Sequence, residues 1–245
     1  MSKYDSPLSP STINTYLSCP YSLYLKKIRG IKIDSGDAAI FGSFNHKVYE
    51  NFWGFYTLEL DPEFAIKESI KKYDGPKIQP EYEIASYTCF NNFVSIIQET
   101  PTLIPTYTEL RCENPTNNTV AIIDVVYPSK IVDYKTSTQY TVNPKLPNKI
   151  QATMCSQNLL KVKGIEVRQV EFWYLRYKKY QRVTVDQKLI EEVDEIIDYV
   201  REGIEQDHFP KYDNNCFFCD YKKICELEKK NLTRIQKRMV KQNVI

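Results

Sequence analysis

The sequence predicts an α/β fold in which a central mixed β-sheet is flanked by helices. The first hundred residues are mixed in polarity and poor in glycine and proline, a pattern typical of helices. From residue 106 onward, short runs rich in isoleucine, valine and tyrosine alternate with segments of helical spacing. This order of helices, strands, helix, strands and helix indicates a sheet covered on both faces, followed by a cysteine-rich segment.

The N-terminal third is predicted to be helical. Ser9, Ser11 or Thr12 can cap a first short helix, Pro20 suits the start of a second, and Gly30 follows its end. Helices are therefore predicted over residues 9–29 (as a short pair), 38–58, 62–73 and 80–99.

Five apolar runs separated by turn residues predict the sheet. The expected strands cover residues 106–112, 120–127, 130–136, 167–176 and 181–185. Apolar residues at helical spacing predict further helices over residues 148–163 and 186–206. After the cysteine segment, residues 226–245 are predicted to form a basic tail that either contacts a polyanion or is a solvated terminal helix.

Length and composition favour one domain over residues 1–245, because no linker or repeat divides the chain. It would comprise a helical region (1–100), a core (101–206) and a cysteine segment with the basic tail (207–245). The net charge of +2 is too small to indicate a nucleic-acid partner by itself. No apolar run reaches the roughly 18 residues of a membrane span, and the N-terminus lacks a signal-peptide core, so a soluble, cytoplasmic protein is expected.

Four of the seven cysteines are placed to form one metal centre. Cys216, Cys219 and Cys225 stand close together, and Cys19 lies 197 residues upstream of the first of them. Without an export signal the thiols are expected to stay reduced, which favours metal ligation over disulfides. Four cysteines suit structural zinc as well as an iron–sulfur cluster. Either metal would remove on the order of 5 kcal/mol of unfolded-state freedom by closing this loop.

Two acidic residues are predicted to face each other across a hairpin. The apolar runs on either side of Pro128-Ser129 pair Asp124 with Asp133 if the hairpin is centred on that dipeptide. Directly opposed side chains have Cβ atoms about 4.5 to 5.5 Å apart, so two bare carboxylates would repel each other. A cation is therefore expected between them.

Lys135 lies two residues beyond the second aspartate and so on the same face of the sheet. Ile122, Val126 and Ile131 are predicted to flank the acidic pair on that face, which indicates central strands. A divalent ion completed by water and a phosphate fits the preference of Mg²⁺ for few protein carboxylates, and the lysine would then position or polarise an attacking water. The alternative is a buried ion network without a catalytic role. His46 is either a ligand suited to Mn²⁺ or a structural residue.

Three groups of motifs follow one another along nearly the whole chain. The first reads Ser9-Pro-Ser11-Thr12, Tyr16-Leu-Ser-Cys19-Pro20 and Gly42-Ser-Phe-Asn-His46. The second reads Ile123-Asp124 and Ile131-Val132-Asp133-Tyr134-Lys135-Thr136, with Gln151 downstream, and the third reads Phe209-Pro210 and Cys216-x2-Cys219-Asp-Tyr-x3-Cys225. Together they resemble the RecB-type exonucleases of the PD-(D/E)XK superfamily. The cysteines resemble those of its iron–sulfur members, typified by the CRISPR-associated Cas-four nucleases and the nuclease domain of AddB.

This resemblance implies a restriction-endonuclease-like fold and a Mg²⁺- or Mn²⁺-dependent DNA exonuclease acting on single strands. The implied catalytic residues are Asp124, Asp133, Lys135 and Gln151, and the implied metal ligands are His46, Asp124, Asp133 and the backbone carbonyl of Tyr134. A structural [4Fe–4S] cluster would be held by Cys19, Cys216, Cys219 and Cys225. The implied partners are DNA and the proteins of a CRISPR adaptation or recombination complex, with antiviral defence as one role.

The chain departs from the family pattern at one place, because Cys155 stands where a tyrosine usually follows the glutamine by four residues. Glu109 matches a further acidic position on the first strand. Two other functions stay open: a non-catalytic DNA-binding or assembly subunit, and a redox protein. The basic residues Lys26, Lys27, Arg29 and Lys32 are expected to line a DNA groove.

Overall fold

The computed structural model describes residues 6–34, 36–57, 60–100, 103–212, 216–226 and 228. They form two compact units: a larger one of Ser6–Pro10 and Ser35–Ile197, and a smaller one of Ser11–Asp34 with the described residues from Asp198 onward. The predicted basic tail, apart from its first residues, lies outside the described part of the chain. None of the described helices combines the length and the apolar composition that a bilayer crossing requires.

The helices follow the predicted order. They are α1 (Pro10–Ser18), α2 (Pro20–Leu23), α3 (Asp37–Phe55), α4 (Pro62–Lys71), α5 (Pro80–Glu99), α6 (Leu146–Lys163) and α7 (Gln187–Glu205), with a 3₁₀ turn at Cys216–Phe218. Prolines open α4 and α5, where the first helical N–H would have no partner. Gly164 ends α6 with a φ of 67°, which glycine adopts without steric cost.

The second helix of the predicted N-terminal pair differs from a plain α-helix. After α2 the chain continues as a π-helix over Tyr24–Ile28. The N–H of Arg29 bonds to the carbonyl of Tyr24 at 2.9 Å, five residues back, so this turn holds one residue more than an α-helical turn.

Among the described residues, five strands form one mixed sheet in the larger unit, as predicted. They are β1 (Tyr107–Asn114), β2 (Thr119–Val126), β3 (Ile131–Lys135), β4 (Gln169–Tyr174) and β5 (Lys179–Thr184), and their order in the sheet follows the chain. Neighbouring strands are antiparallel except β3 and β4, which are parallel. A parallel pair needs a crossover connection, and α6 supplies it.

Helices cover both faces of this sheet. One face packs against α3, α4 and α5, where Phe52 and Phe93 pack against each other in the cluster that contains Trp173. The other face packs against α6 and the first turn of α7, with Leu159 of α6 in the same cluster as Phe172. Each fully buried side chain of this size contributes roughly 1.5–3 kcal/mol of transfer free energy, so the two clusters fix the sheet between its helices.

Ile122 and Val126 were expected on the same face of the sheet, and this prediction is wrong. The direction in which alternate side chains of β2 point changes at Asp124. Ile122 is 53% exposed, whereas its neighbour Ile123 packs in the cluster that contains Val126. The β1–β2 ladder pairs the residues on either side of Asp124 but omits Asp124 and the residue opposite it, Glu109, whose φ is 47°. A positive φ in one strand disrupts the ladder locally and re-aims the side chains, so strict alternation does not continue across this point.

The smaller unit is held by aromatic contacts between its two chain segments. The Tyr16 hydroxyl donates a hydrogen bond to the carbonyl of His208 at 2.8 Å, and the Tyr24 ring lies 5.4 Å from that of Phe209. A Cβ on Gly203 would lie 1.9 Å from the Tyr16 hydroxyl oxygen, so only glycine fits on α7 at this position.

Candidate active site

Asp124 lies at the point where β2 and β3 separate. The pairs Val125–Val132 and Val126–Ile131 confirm the predicted hairpin register. The ladder ends after these pairs, and instead of facing Asp133 across a continuous ladder, the Asp124 carboxylate accepts the Tyr134 N–H at 2.8 Å. Asp124 is 8% exposed. Its side chain therefore replaces a backbone acceptor and stabilises the split between the strands.

His46 reaches the same carboxylate from α3. Its Nδ1 lies 3.3 Å from Asp124 Oδ2. Burial lowers the pKa of His46, but the Asp124 carboxylate outweighs burial and raises the pKa to about 9. The imidazolium in turn lowers the pKa of Asp124 against the opposing effect of burial. Without a metal ion, these two groups form an ion pair.

Asp133, Lys135 and Gln151 form a closed set of contacts between β3 and α6. Lys135 Nζ lies 2.7 Å from Asp133 Oδ2 and donates to Gln151 Oε1 at 2.9 Å. Gln151 Nε2 donates to Asp133 Oδ1. The glutamine therefore fixes both the lysine and the carboxylate.

The protonation states of this set follow from burial and charge. Burial raises the pKa of Asp133 and outweighs the opposing charge of Lys135. Burial lowers the pKa of Lys135, but Asp133 outweighs it, so the net pKa of the lysine is raised. Lys135 is thus an ammonium ion at neutral pH, able to donate but not to accept a proton.

Glu109 belongs to the same site through β1. One oxygen of Glu109, one of Asp124 and a nitrogen of His46 lie within 4.8 Å of one another. Burial, followed by the charge of Asp124, raises the pKa of Glu109 to about 7. Asp133, which the resemblance assigns as a ligand, lies outside this group and faces the lysine and glutamine. The ladder break that opposes Glu109 to Asp124 brings the glutamate into the site, whereas the sequence indicates it only as a further acidic position of the first strand.

This donor set fits a divalent cation. Carboxylate oxygens with one imidazole are ligands that Mg²⁺ and Mn²⁺ accept. Asp133 Oδ2 is buried without a well-oriented hydrogen bond, and two carboxyl groups, Asp133 and Glu109, have raised pKa values. The site therefore concentrates more negative charge than its own side chains neutralise. The expected role of the Tyr134 carbonyl as a further ligand stays a prediction.

The four predicted cluster cysteines line one cavity in the smaller unit. Its volume is about 880 Å³, and Lys26, Lys211 and Tyr212 also line it. Cys19 precedes α2 as its N-cap residue, and Cys225 N donates to the carbonyl of Tyr221 at 3.0 Å. All four thiols are half-buried and free: Cys19, Cys216, Cys219 and Cys225.

The positions of these thiols in the metal-free protein do not by themselves select a metal. With Zn–S bonds of about 2.3 Å, tetrahedral ligand sulfurs lie about 3.8 Å apart. Within the described residues, no three of the four sulfurs all lie within 4.8 Å of one another. Thiolates alone form the ligand set of iron–sulfur clusters, whose larger inorganic core lies between the sulfurs. The donor chemistry therefore fits such a cluster.

Two further predictions concern residues around these sites. Cys155 is buried on α6, one turn after Gln151, and burial raises the pKa of its thiol. No tyrosine contact with DNA can come from this position. Of the basic residues expected to line a DNA groove, Lys26 lines the cysteine cavity and Arg29 forms an ion pair with Glu228.

Comparisons with known proteins agree with this fold. Residues 7–226 match the family model described as the PD-(D/E)XK nuclease superfamily. No curated protein matches the sequence. The crystal structure of a "Putative exonuclease" from Eubacterium rectale superposes with a TM-score of 0.56 at 9% identity, covering 89% of this chain and 87% of that chain, which is a similarity of fold. An alkaline exonuclease from Laribacter hongkongensis aligns over 69% of this chain and 92% of its own at 17% identity, with a TM-score of 0.35, too low for an argument.

Proposed function

Because the chain belongs to the PD-(D/E)XK nuclease superfamily, we propose that it is a Mg²⁺- or Mn²⁺-dependent DNA exonuclease that prefers single strands. The exonuclease activity agrees with the name of the structural neighbour from Eubacterium rectale. Roles in a CRISPR adaptation or recombination complex and in antiviral defence rest on the resemblance of the motifs alone.

The observation that carries this proposal is the contact set of Asp133, Lys135 and Gln151 beside Asp124. An ammonium group is held 2.7 Å from a buried carboxylate by an amide that bonds to both. A purely structural ion pair needs no such third group, whereas a catalytic lysine must be held at a fixed position. The neighbouring donor set of His46 and Asp124 adds a place for a cation.

The metal ligands in this proposal are Asp124 and His46, with Glu109 from the geometry and Asp133 and the Tyr134 carbonyl from the resemblance. When bound, a divalent ion polarises the phosphodiester and lowers the pKa of a coordinated water.

Lys135 acts as a cation in this scheme. Its raised pKa keeps the proton on Nζ, so it donates hydrogen bonds to the attacking water and to the phosphate oxygens as their charge increases. Gln151 holds the ammonium group at this position and prevents it from rotating away. Asp124 and Asp133 beside it are buried, and burial strengthens the attraction between opposite charges.

We also propose that the four cysteines hold a structural [4Fe–4S] cluster. Their common cavity supports a metal centre of thiolates, and the resemblance of the motifs favours the cluster over zinc. The cluster would join the segment of Cys19 to the segment of Cys216, Cys219 and Cys225 within the smaller unit. Iron and zinc analysis of the protein purified without oxygen tests this: zinc without iron would refute the assignment.

The nuclease proposal is tested by metal-dependent release of nucleotides from labelled single-stranded DNA. The native chain should release nucleotides with Mg²⁺ or Mn²⁺ and stop when EDTA is added. Asp133→Ala should abolish release, whereas Asp198→Ala, which changes an exposed aspartate on α7, should not. Equal release by the native chain and Asp133→Ala, or no release by the native, cluster-loaded chain, would refute the proposed activity.

A further inference from the structure

A second cavity of the larger unit begins where β3 ends. Its volume is about 560 Å³, and its wall includes Thr136, which directly follows Lys135. A Cβ on Gly42 would lie 3.8 Å from the Thr136 hydroxyl oxygen, so α3 and the end of β3 approach closely at this edge. Gly42 precedes His46 by four residues, about one helical turn or 5.4 Å along α3. The cavity therefore adjoins the candidate active site.

The lining of this cavity suits an anion. It contains two cationic side chains, Lys145 and Arg176, together with several hydroxyl groups, and no carboxylate is among the lining residues that the structure describes. Within the described part of the chain, neither cation has a carboxylate within ion-pairing distance. Both charges are thus available to a ligand that enters the cavity.

Arg176 is fixed while part of its guanidinium group stays available. Its Nε donates to the Thr136 carbonyl at 2.6 Å, and the guanidinium carbon lies 4.7 Å from the centre of the Phe41 ring. These contacts use one edge and one face of the planar group. A guanidinium held in this way binds phosphate through its remaining N–H groups with little loss of conformational freedom.

The loop that forms the opposite wall is fixed by the β4–β5 hairpin. The Tyr177 hydroxyl donates to the Thr138 carbonyl at 2.6 Å, and Gln181 Nε2 donates to the Thr141 carbonyl at 2.6 Å. Gln181 is almost fully buried. The wall is therefore preorganised, because side chains of a regular hairpin satisfy its backbone carbonyls.

An aromatic side chain completes the lining. Tyr82 of α5 lines the cavity, is half-buried, and packs its ring 5.0 Å from that of Phe41. Stacking on an aromatic ring tolerates every base, since each base has a π-face. The cavity thus offers cations for a phosphate and a ring for a base at one place.

We propose that this cavity binds one unpaired nucleotide of the substrate strand, next to the phosphodiester that is cleaved. Arg176 and Lys145 bind its phosphate, and Tyr82 stacks on its base. The proposal rests on the proposed function and specifies its substrate as an unpaired strand. A volume of about 560 Å³ lies in the range of roughly 300–1,000 Å³ typical of small-molecule sites, so the cavity is large enough for one nucleotide.

The first test measures binding of a fluorescent oligodeoxythymidine to the full, cluster-loaded chain carrying Lys135→Ala, which prevents cleavage. Lys145→Glu should weaken binding about tenfold, because it replaces a charge-assisted contact by repulsion. Lys161→Glu is the matched control, since it makes the same charge change at the exposed far end of α6 and should change binding less than twofold. Equal effects of the two variants would overturn the proposal.

The second test locates the base. A single abasic position is moved along the oligonucleotide, and one position should weaken binding about tenfold through the lost stacking. Tyr82→Leu keeps an apolar side chain against Phe41 and should remove the effect of that one position. Uniform effects at all positions, or an abasic effect that persists in Tyr82→Leu, would refute the assigned stacking.

Nucleotide release is then measured for the same variants made in the active chain, in which Lys135 is kept. This measurement separates the inference from the proposed function. If the native chain releases nucleotides while Lys145→Glu and Lys161→Glu have equal binding and equal KM, the proposed nucleotide site is refuted and the nuclease activity stands. Binding that depends on Lys145 without release overturns the nuclease and leaves the cavity. Absence of DNA binding overturns both.

Discussion

Lys135 Nζ donates a hydrogen bond to Gln151 Oε1 at 2.9 Å, which joins the end of β3 to the second turn of α6. The lysine is the last residue of β3, and the helix that positions it, α6, begins at Leu146 after the loop that follows this strand. A shift of the first turns of α6 therefore moves the partner of the ammonium group directly, and it also moves Asp133, to which Gln151 donates.

Removal of this bond should lower catalysis without unfolding the protein. We expect Gln151→Ala to reduce kcat about tenfold, because one charge-assisted hydrogen bond is worth roughly 1.5–3 kcal/mol and part of it is replaced by water. KM should change little, since the lysine still attracts the phosphate. Gln157→Ala on the same helix is the control. An unchanged kcat in Gln151→Ala would show that the glutamine does not position the lysine.

The charge of Asp124 can be separated from its hydrogen bond. Asp124→Asn keeps an oxygen to accept the Tyr134 N–H but removes the negative charge. Nucleotide release should fall about a thousandfold, because a divalent ion contributes several kcal/mol of transition-state stabilisation. The melting temperature should change by a few degrees at most. Residual activity near the native level would exclude Asp124 as a metal ligand.

Glu109 should make the metal-free protein sensitive to pH. Its folded-state pKa of about 7 lies above its ordinary value, so the folded state binds this proton more tightly than the unfolded state. Below about pH 4.5 this group has no effect on stability, and as pH rises through 7 its ionisation destabilises the fold.

Glu109→Gln should therefore stabilise the metal-free protein at about pH 8, by roughly 1 kcal/mol after discounting for partial exposure, and have almost no effect near pH 4.5. Thermal unfolding in EDTA at the two pH values measures this difference. With Mg²⁺ present at pH 8 the sign should reverse, because the variant loses a ligand. A pH-independent shift would contradict the assigned ionisation.

Gly203 provides a test of packing in the smaller unit. Gly203→Ala places a Cβ 1.9 Å from the Tyr16 hydroxyl oxygen and should destabilise the protein by about 1–3 kcal/mol, the usual cost of overpacking. Gly54→Ala is the matched control, since Gly54 is also helical and no atom lies within 4 Å of its added Cβ. That variant should be neutral or stabilise by up to about 1 kcal/mol. Chemical denaturation measures the free energy of unfolding of both variants, and equal values would contradict the predicted overpacking at Gly203.

The proposed cluster ligands can be tested through iron content and stability. Cys219→Ala should remove iron from the purified protein and lower the free energy of unfolding by up to about 5 kcal/mol, the estimated cost of opening a loop of this length. Cys89→Ala removes a buried thiol of the larger unit and should keep the full iron content. Equal iron content in both variants would exclude Cys219 as a ligand.

The hairpin register shows what could be predicted from the sequence. Pro128-Ser129 restricts the turn between two apolar runs, and this local constraint was enough to predict the pairing of Val125 with Val132. The order of the elements and the mixed sheet were predicted for the same reason, because hydrophobic periodicity reflects which face is buried.

The departures lie where a residue breaks the local pattern. Ile122 was expected on the face of Val126, but the positive φ of Glu109 interrupts the ladder and exchanges the faces. Backbone conformation of this kind is determined by tertiary contacts, so a single strand's alternation cannot indicate it. The contact of Gln151 with Lys135 likewise depends on the tilt of α6 over the sheet, which no local spacing specifies.

The Tyr134 N–H bond to Asp124 has a consequence for the choice of metal ion. It occupies one position on Oδ2, which also contacts His46 in the metal-free protein, so Oδ1 is the oxygen of this carboxylate that lies outside both contacts and favours ligation through a single oxygen. Ca²⁺ prefers six to eight oxygens and often takes both oxygens of a carboxylate, whereas Mg²⁺ accepts single oxygens in an octahedral shell. Two adjacent strands that separate by one residue thus favour single-oxygen ligation, the mode that suits magnesium better than calcium.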